Sequence, residues 1–274
     1  MTDRRLTPAN GRVAAAHLKG VVQAETYCEG TEAHIVTPIT DLCASPGGAR
    51  DRQLLLGAAV TVYEWRAGWA FVQAAHGYVG YVAETAIGPH STPTHIVATA
   101  ATHAYKTDSI KSPDLMGLSF GTRLSLVNER KQMMETNVGF VPKAHLRPLD
   151  KPFKDPVSIA QLFFGTPYLW GGNSRWGIDC SGLIQAALQG CGQSCPGDSD
   201  LQMNDLGMAI SEEVELTRGD LLFWKGHVGI MVDQDIMIHA NAHAMATTYE
   251  PIQAAIARIK AQDGGDIIAR KRIS

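Results

Sequence analysis

Cys180 has the setting in this sequence that most invites chemistry. It lies between a glycine-rich run, Trp170-Gly171-Gly172-Asn173-Ser174-Arg175-Trp176-Gly177, and an apolar amphipathic stretch from Gly182 to Gly190. Loop followed by helix puts the thiol at a helix N-terminus. There, unpaired N–H groups and the positive end of the helix dipole favour thiolate and pull its pKa below the ~8.5 of a free cysteine. A cysteine in that position is also a small apolar residue that can simply pack. To act as a nucleophile it needs a base.

Two histidines offer one. His-Val-Gly-Ile-Met-Val (227–232) and Ile-Met-Ile-His-Ala (236–240) flank Asp233-Gln234-Asp235, a polar stretch suited to a hairpin turn. His227 and His239 are an even number of residues apart, so with an odd-numbered loop both side chains point to one face. They are then directly opposite or one diagonal step apart, with Cβ atoms roughly 5–8 Å from each other. A cysteine with two histidines that can meet has the form of nucleophile, base and orienting residue. The alternative is two half-buried histidines bonded to backbone groups.

The elements that must position these residues follow from patterning. Residues 1–33 form an N-terminal arm with a short helical piece around Val13 to Leu18. From Ala33 to Pro148 the sequence breaks into short β runs punctuated by Gly and Pro, the texture of small barrels or sandwiches. An internal repeat runs through it. Val79-Gly80-Tyr81-Val82 closes one copy and Val138-Gly139-Phe140-Val141 the other, each Gly allowing a close backbone approach. Arg147 to Pro156 is a Pro-rich, charged linker. Beyond it Asp155 and Pro156 start a helix, a second helix runs from about Asp179 to Gly190, and strand-like runs follow Arg218-Gly219-Asp220. Helices first and an antiparallel sheet after them is an α+β order.

Bulk properties exclude several classes. A formal net charge of -3, with charged residues at 19% and hydrophobic residues at 45%, describes an ordinary globular chain. It gives no concentrated basic face for nucleic acid or an anionic membrane. Arg4-Arg5 precede no apolar stretch of signal-peptide length and no run approaches a membrane span, so the expected address is cytoplasmic. Five irregularly spaced cysteines do not form a disulfide framework, and Cys28 and Cys43 read as buried apolar residues. Cys191 and Cys195 lack a second ligand pair at zinc spacing, so neither a metal nor another cofactor is expected.

Taken in order, Thr-Pro-Tyr-Leu-Trp-Gly-Gly (166–172), Gly-Ile-Asp-Cys-Ser-Gly-Leu (177–183), Gly-Asp-Leu-Leu-Phe-Trp (219–224), His-Val-Gly-Ile-Met-Val and Met-Ile-His-Ala (237–240) resemble the NlpC-type papain-like cysteine peptidases. The resemblance spans about residues 155–255. It implies an α+β papain-like catalytic domain over residues 150–274, with Cys180 as nucleophile, His227 as general base and His239 as the residue that orients the imidazole. It further implies that the Tyr168 hydroxyl and the Cys180 N–H stabilise the oxyanion; Tyr168 is otherwise a core aromatic. Ser181 resembles the residue that meets a D-glutamyl carboxylate, and Asp179 beside the nucleophile either contacts substrate or caps the helix.

The β region resembles tandem bacterial SH3-like domains, residues 34–92 and 93–149. Asp198-Ser199, in Cys195-Pro196-Gly197-Asp198-Ser199, resembles the pair of γ-D-glutamyl-L-diamino acid endopeptidases that carry such domains. In that subgroup the Asp holds the free amine of an N-terminal L-Ala and the Ser helps bind D-Glu. Both residues could equally cap the next helix. The subgroup's first SH3-like domain also offers an aromatic hydroxyl to substrate, for which Tyr78 is the first candidate here and Tyr81 the second. The partner implied is a murein-derived peptide, as in peptidoglycan peptide recycling; the sequence names no protein partner. Rival readings are an amidase or acyltransferase of the same fold, and a non-catalytic protein that binds wall fragments. The intact Cys180, His227 and His239 set argues against the second. His243 reads as a pocket-wall or surface residue.

Overall fold

Alternating apolar and polar residues in the first half of the chain form short, mostly antiparallel strands. The computed structural model describes residues 3–273, and it divides at Asp150/Lys151 into two compact units. In the first unit, strands Thr31–Ile35, Ile39–Cys43, Arg50–Leu55, Ala59–Arg66, Trp69–Ala74, Val79–Ala83 and Ile87–Pro89 join one seven-stranded sheet. Val60 and Val62 point inward while Ala59 and Thr61 stay half-exposed, the period of two that a half-buried strand requires. A second set of short strands, from His95–Val97 to Leu146–Pro148, forms a three-stranded and a five-stranded sheet around Val97, Ala104, Leu118, Leu124 and Val141.

The internal repeat has a backbone cause. Strands Val79–Ala83 and Gly139–Pro142 each meet a neighbouring strand through one residue pair, Cys43–Tyr81 and Tyr105–Phe140. A Cβ on Gly80 would lie 2.7 Å from the Cys43 carbonyl oxygen, and one on Gly139 would lie 2.7 Å from that of Tyr105. Only glycine permits the strand to cross there.

The arm departs from the helix expected over Val13 to Leu18. Val13–Ala15 is a strand paired in parallel with Thr26–Cys28, and only Ala16–Leu18 makes a single 3₁₀ turn. All three strand residues are buried, so no polar face is left for a surface helix. The Arg12 guanidinium fastens the arm to Glu64 through two bonds of 2.8 and 2.7 Å, with the Asn10 amide adding a third at 2.8 Å.

The second unit opens with helix α1, Pro156–Leu162. Its N-cap Asp155 accepts from the Val157 N–H at 3.0 Å, and Pro156 sits where no N–H is needed. Helices α2 (Cys180–Gly190), α3 (Ser199–Asp205) and α4 (Ile252–Ala261) follow. The strands of its six-stranded sheet are β1 (Met208–Ala209), β2 (Leu221–Trp224), β3 (His227–Met231), β4 (Ile236–Asn241), β5 (Ala246–Pro251) and β6 (Ala269–Arg272). They pair antiparallel in the order β1-β6-β2-β3-β4-β5.

Helix α2 packs on α1, β3 and β4, and α4 packs Ile252, Ala255 and Ile259 onto Leu222, Trp224, Met231 and Met237. Residues of both parities in β3 and β4 are thereby buried, which explains why these strands read as nearly continuous apolar runs. No helix among the described residues is long and apolar enough to cross a membrane.

Candidate active site

Asp179 builds the corner that presents Cys180. Its backbone is extended, as an N-cap requires, and its Oδ1 accepts from the Gly182 N–H at 2.6 Å and the Ser181 hydroxyl at 3.0 Å. Its Oδ2 accepts from the Gly171 N–H at 2.9 Å, so one buried carboxylate ties the glycine-rich loop to the first turn of α2. The approach is close: a Cβ on Gly182 would lie 2.5 Å from the Gly172 carbonyl oxygen. Cys180 is the first residue of α2, 6% exposed, with Sγ 3.9 Å from the carbonyl oxygen of Gly226. That carbonyl belongs to the residue before His227.

The two histidines come from β3 and β4. Asp233 closes their hairpin by accepting from the Asp235 and Ile236 N–H groups at 2.9 and 2.8 Å. The register pairs Ile230 with Ile238, and its continuation sets His239 one diagonal step from His227. The rings meet edge to face, with His227 Nε2 2.8 Å from His239 Nδ1.

His239 is fully buried, and its Nε2 lies 3.0 Å from Glu250 Oε2 on β5. Arg258 of α4 grips both oxygens of Glu250, at 2.9 and 2.7 Å. Burial pushes the pKa of His227 down to about 3, helped by the neighbouring His239 and Arg258 charges and opposed by Glu250. Burial likewise takes His239 down to about 4, with Glu250 opposing and Arg258 assisting. Both rings are therefore neutral near pH 7. A neutral imidazole can take a proton.

Tyr168 is held beside the same corner. Its backbone bridges Ile178, and its N–H donates to the Met245 carbonyl at 2.9 Å. Burial first, and then negative charge on Cys180 and Asp179, raises the phenol's pKa well above its ordinary value, so it stays an O–H donor. Ser181 is buried and spends its hydroxyl proton on Asp179. Gln202 of α3, also fully buried, donates to the carbonyls of Ser181 and Pro196 at 2.9 Å each and so anchors α3 to the helix that Cys180 begins.

Asp198 stands at the N-cap of α3, yet its side chain makes no cap hydrogen bond; Ser199 is the first residue of that helix. Tyr78, in the first unit, is 1% exposed, edge-on to His76, with the Arg52 guanidinium 5.7 Å from its ring centre. Tyr81 packs on Phe71 with ring centres 5.1 Å apart. His243 is exposed, lies 3.3 Å from the Gln262 amide and lines one cavity with His227 and Arg258. None of the five cysteines is in a disulfide, and no group of three metal-binding side chains occurs among the described residues.

Sequence reasoning missed Glu250, Arg258 and Gln202. A signal for the first existed. Thr248 faces His239 across the β4–β5 pair, so Glu250, two residues on, must share the histidine's face.

A cysteine at a helix start, a histidine pair on an antiparallel sheet and small β domains ahead of them define a class. Residues 165–259 match the NlpC/P60 family, and residues 42–87 match the bacterial dipeptidyl-peptidase Sh3 domain. The chain carries an NlpC/P60 peptidase domain of papain-like fold at its C-terminal end, preceded by SH3 domains.

More particularly, it is 27% identical over 224 residues to a γ-D-glutamyl-L-lysine dipeptidyl-peptidase of Bacillus cereus, covering 69% of this chain and 67% of that one. Dipeptidyl-peptidase 6 of Lysinibacillus sphaericus is 26% identical over 217 residues, 69% of this chain and 79% of the relative. In fold the chain resembles the crystal structure of an NlpC/P60 family protein from Bacillus cereus. The TM-score is 0.73 at 21% identity, covering 88% of this chain and 99% of that one.

Proposed function

We propose that this chain is a cysteine peptidase that hydrolyses the γ-D-glutamyl-L-diamino acid bond of murein peptides bearing a free N-terminal L-Ala. The reading is carried by a neutral His227–His239 pair beside a cysteine held at the first residue of a helix. The bond specificity is drawn from the relatives, whose names specify γ-D-glutamyl-L-lysine dipeptidyl-peptidases.

In this mechanism Cys180 Sγ attacks the γ-glutamyl carbonyl carbon while its proton passes to His227 Nδ1. The Tyr168 hydroxyl and the Cys180 N–H donate to the oxyanion, interactions worth several kcal/mol in comparable sites. The C–N bond then breaks as His227 returns the proton to the leaving amine, which departs as the diamino acid, diaminopimelate or lysine. Water attacks the thioester, giving its proton to His227, and the C–S bond breaks to release L-Ala-D-Glu and the thiol.

Asp198 pairs with the substrate's ammonium group, with Ser199 toward the D-Glu carboxylate. Asp179 acts through the corner it builds. Five cysteines, none of them in a disulfide, suit a reducing compartment and hence cytoplasmic recycling of wall peptides.

The test is mass-spectrometric product analysis with L-Ala-γ-D-Glu-meso-diaminopimelate and its lysine counterpart, run beside Cys180→Ala. The reading requires L-Ala-D-Glu and free diamino acid from the wild type alone, and little cleavage when the N-terminus is acetylated. No turnover by fully reduced wild-type protein sinks it. Equal cleavage of free and acetylated peptide sinks the amine recognition.

A further inference from the structure

The hydrogen-bond chain behind His227 does not stop at His239. We infer that Glu250, gripped by Arg258, is a positioning residue that fixes the proton on Nε2 of both histidines and so keeps His227 Nδ1 open to the thiol. The inference rests on the assignment of Cys180 and His227 as nucleophile and base.

Arg258 occupies both Glu250 oxygens with a two-point grip and holds the carboxyl pKa below its ordinary value, with the His239 hydrogen bond adding to the effect. Glu250 is thus ionised and can only accept. His239 has no exposed surface, so its Nε2, 3.0 Å from Glu250 Oε2, must carry the hydrogen that this contact needs. A neutral imidazole has one N–H, which leaves His239 Nδ1 bare. That bare nitrogen lies 2.8 Å from His227 Nε2 and must accept from it. His227 Nδ1 is then the nitrogen without a proton, the form a base needs.

The charged and titratable groups around the pair agree with this order: Cys180 from α2, His227 from β3, Glu250 from β5 and Arg258 from α4. Asn241 does not reverse it. Its amide NH₂ donates to Thr248 Oγ1 at 3.1 Å and its oxygen accepts from the Ala244 N–H at 2.8 Å. Its 3.1 Å approach to His239 Nε2 could be a hydrogen bond only if that nitrogen were bare, which would set a lone pair against the Glu250 carboxylate.

Glu250→Gln is the discriminating change, because it keeps size and removes charge. Arg258 retains the single amide oxygen, the amide NH₂ turns to His239, and each proton shifts to Nδ1. His227 would then present an N–H to the thiol. Histidine ¹⁵N-labelled full-length protein, with signals assigned through His227→Gln and His239→Gln, reports the tautomers by NMR without any substrate.

We expect Nε2–H on both rings in the wild type, Nδ1–H on both in Glu250→Gln, and Nε2–H restored in Glu250→Asp. In Glu250→Gln, kcat should fall about 10²-fold with KM within about twofold, since a wrong tautomer leaves binding intact. Alkylation of Cys180 by iodoacetamide at pH 7.5 should slow in parallel. Wild-type Nδ1–H on either ring overturns the inference even if the variant fails to fold. So does Glu250→Gln with unchanged tautomers and kcat within twofold. An inactive wild type with Nε2–H on both rings counts against the peptidase reading and supports the relay.

Discussion

Mild acid should loosen the catalytic unit from its centre outward, because two neutral histidines are buried there. The folded-state pKa values, about 3 for His227 and about 4 for His239, lie below the 6.5 of an unperturbed imidazole. Between those values the unfolded chain binds more protons than the folded one, so stability falls as pH falls. At pH 5 the unfolded imidazoles are about 1.5 units into protonation while both folded rings remain neutral. Each then costs about 2 kcal/mol, roughly 4 kcal/mol for the pair, against almost nothing at pH 7.5.

The carboxylates do not blur this window. Glu250 and Asp220 have lowered pKa values, so their contribution is complete above the unfolded carboxylate pKa near 4 and is lost only below it. His34 and His95 are also lowered by burial, but they lie in the first unit. Hydrogen exchange on peptides spanning β2 to β4, corrected for intrinsic rates, separates the two units. The wild type should lose about 4 kcal/mol of opening free energy between pH 7.5 and 5, and His239→Gln about half that. Equal losses in the two proteins, within about 0.5 kcal/mol, would refute the claim that the pair is buried neutral.

Tyr168→Phe removes one proposed oxyanion donor. It should lower kcat by about 10²-fold with KM little changed, as steady-state kinetics would show; an unchanged kcat would make the tyrosine a core aromatic. Asp179→Ala removes an N-cap and the tether to Gly171 together. Denaturant titration should show a loss of about 2–3 kcal/mol, and a loss under 0.5 kcal/mol would mean that the corner is held by other contacts. Gly80→Ala and Gly139→Ala should each destabilise their own barrel by at least about 1–3 kcal/mol, because each Cβ would meet a carbonyl oxygen at 2.7 Å. A neutral result at either position would remove the backbone reason for the repeat.

Much of the site was legible because its determinants are local. Asp179 caps the helix it begins and Gly190 ends it, so the thiol's position follows from residues within one turn. Asp233 closes the β3–β4 turn with its own side chain, and parity then brings the two histidines to one face. The V-G-aromatic-V repeat was legible for a related reason, since a glycine inside a strand signals a close approach before the neighbour is known. Val13–Ala15 failed as a helix because three apolar residues fit either period, and only pairing with Thr26–Cys28 decides between them.

Glu250 stayed hidden because the β4–β5 connection disguises its register. Residues 242–245 contain no glycine or proline; Met245 takes a left-handed conformation at φ +51°, while Asn241 accepts from the Ala244 N–H to tighten the turn. Without a recognisable turn, the number of residues between paired positions cannot be counted, and a shift of one would send Glu250 to the opposite face. Arg258 is harder still, since it reaches Glu250 only because α4 folds back onto the sheet through Ile252, Ala255 and Ile259. The proposed nucleophile and base thus depend on a helix start and a hairpin that short stretches encode. The protonation state inferred for them depends on a strand register and a helix docking that no short stretch encodes. Damage to α4 packing should therefore reach the chemistry without touching Cys180 or His227.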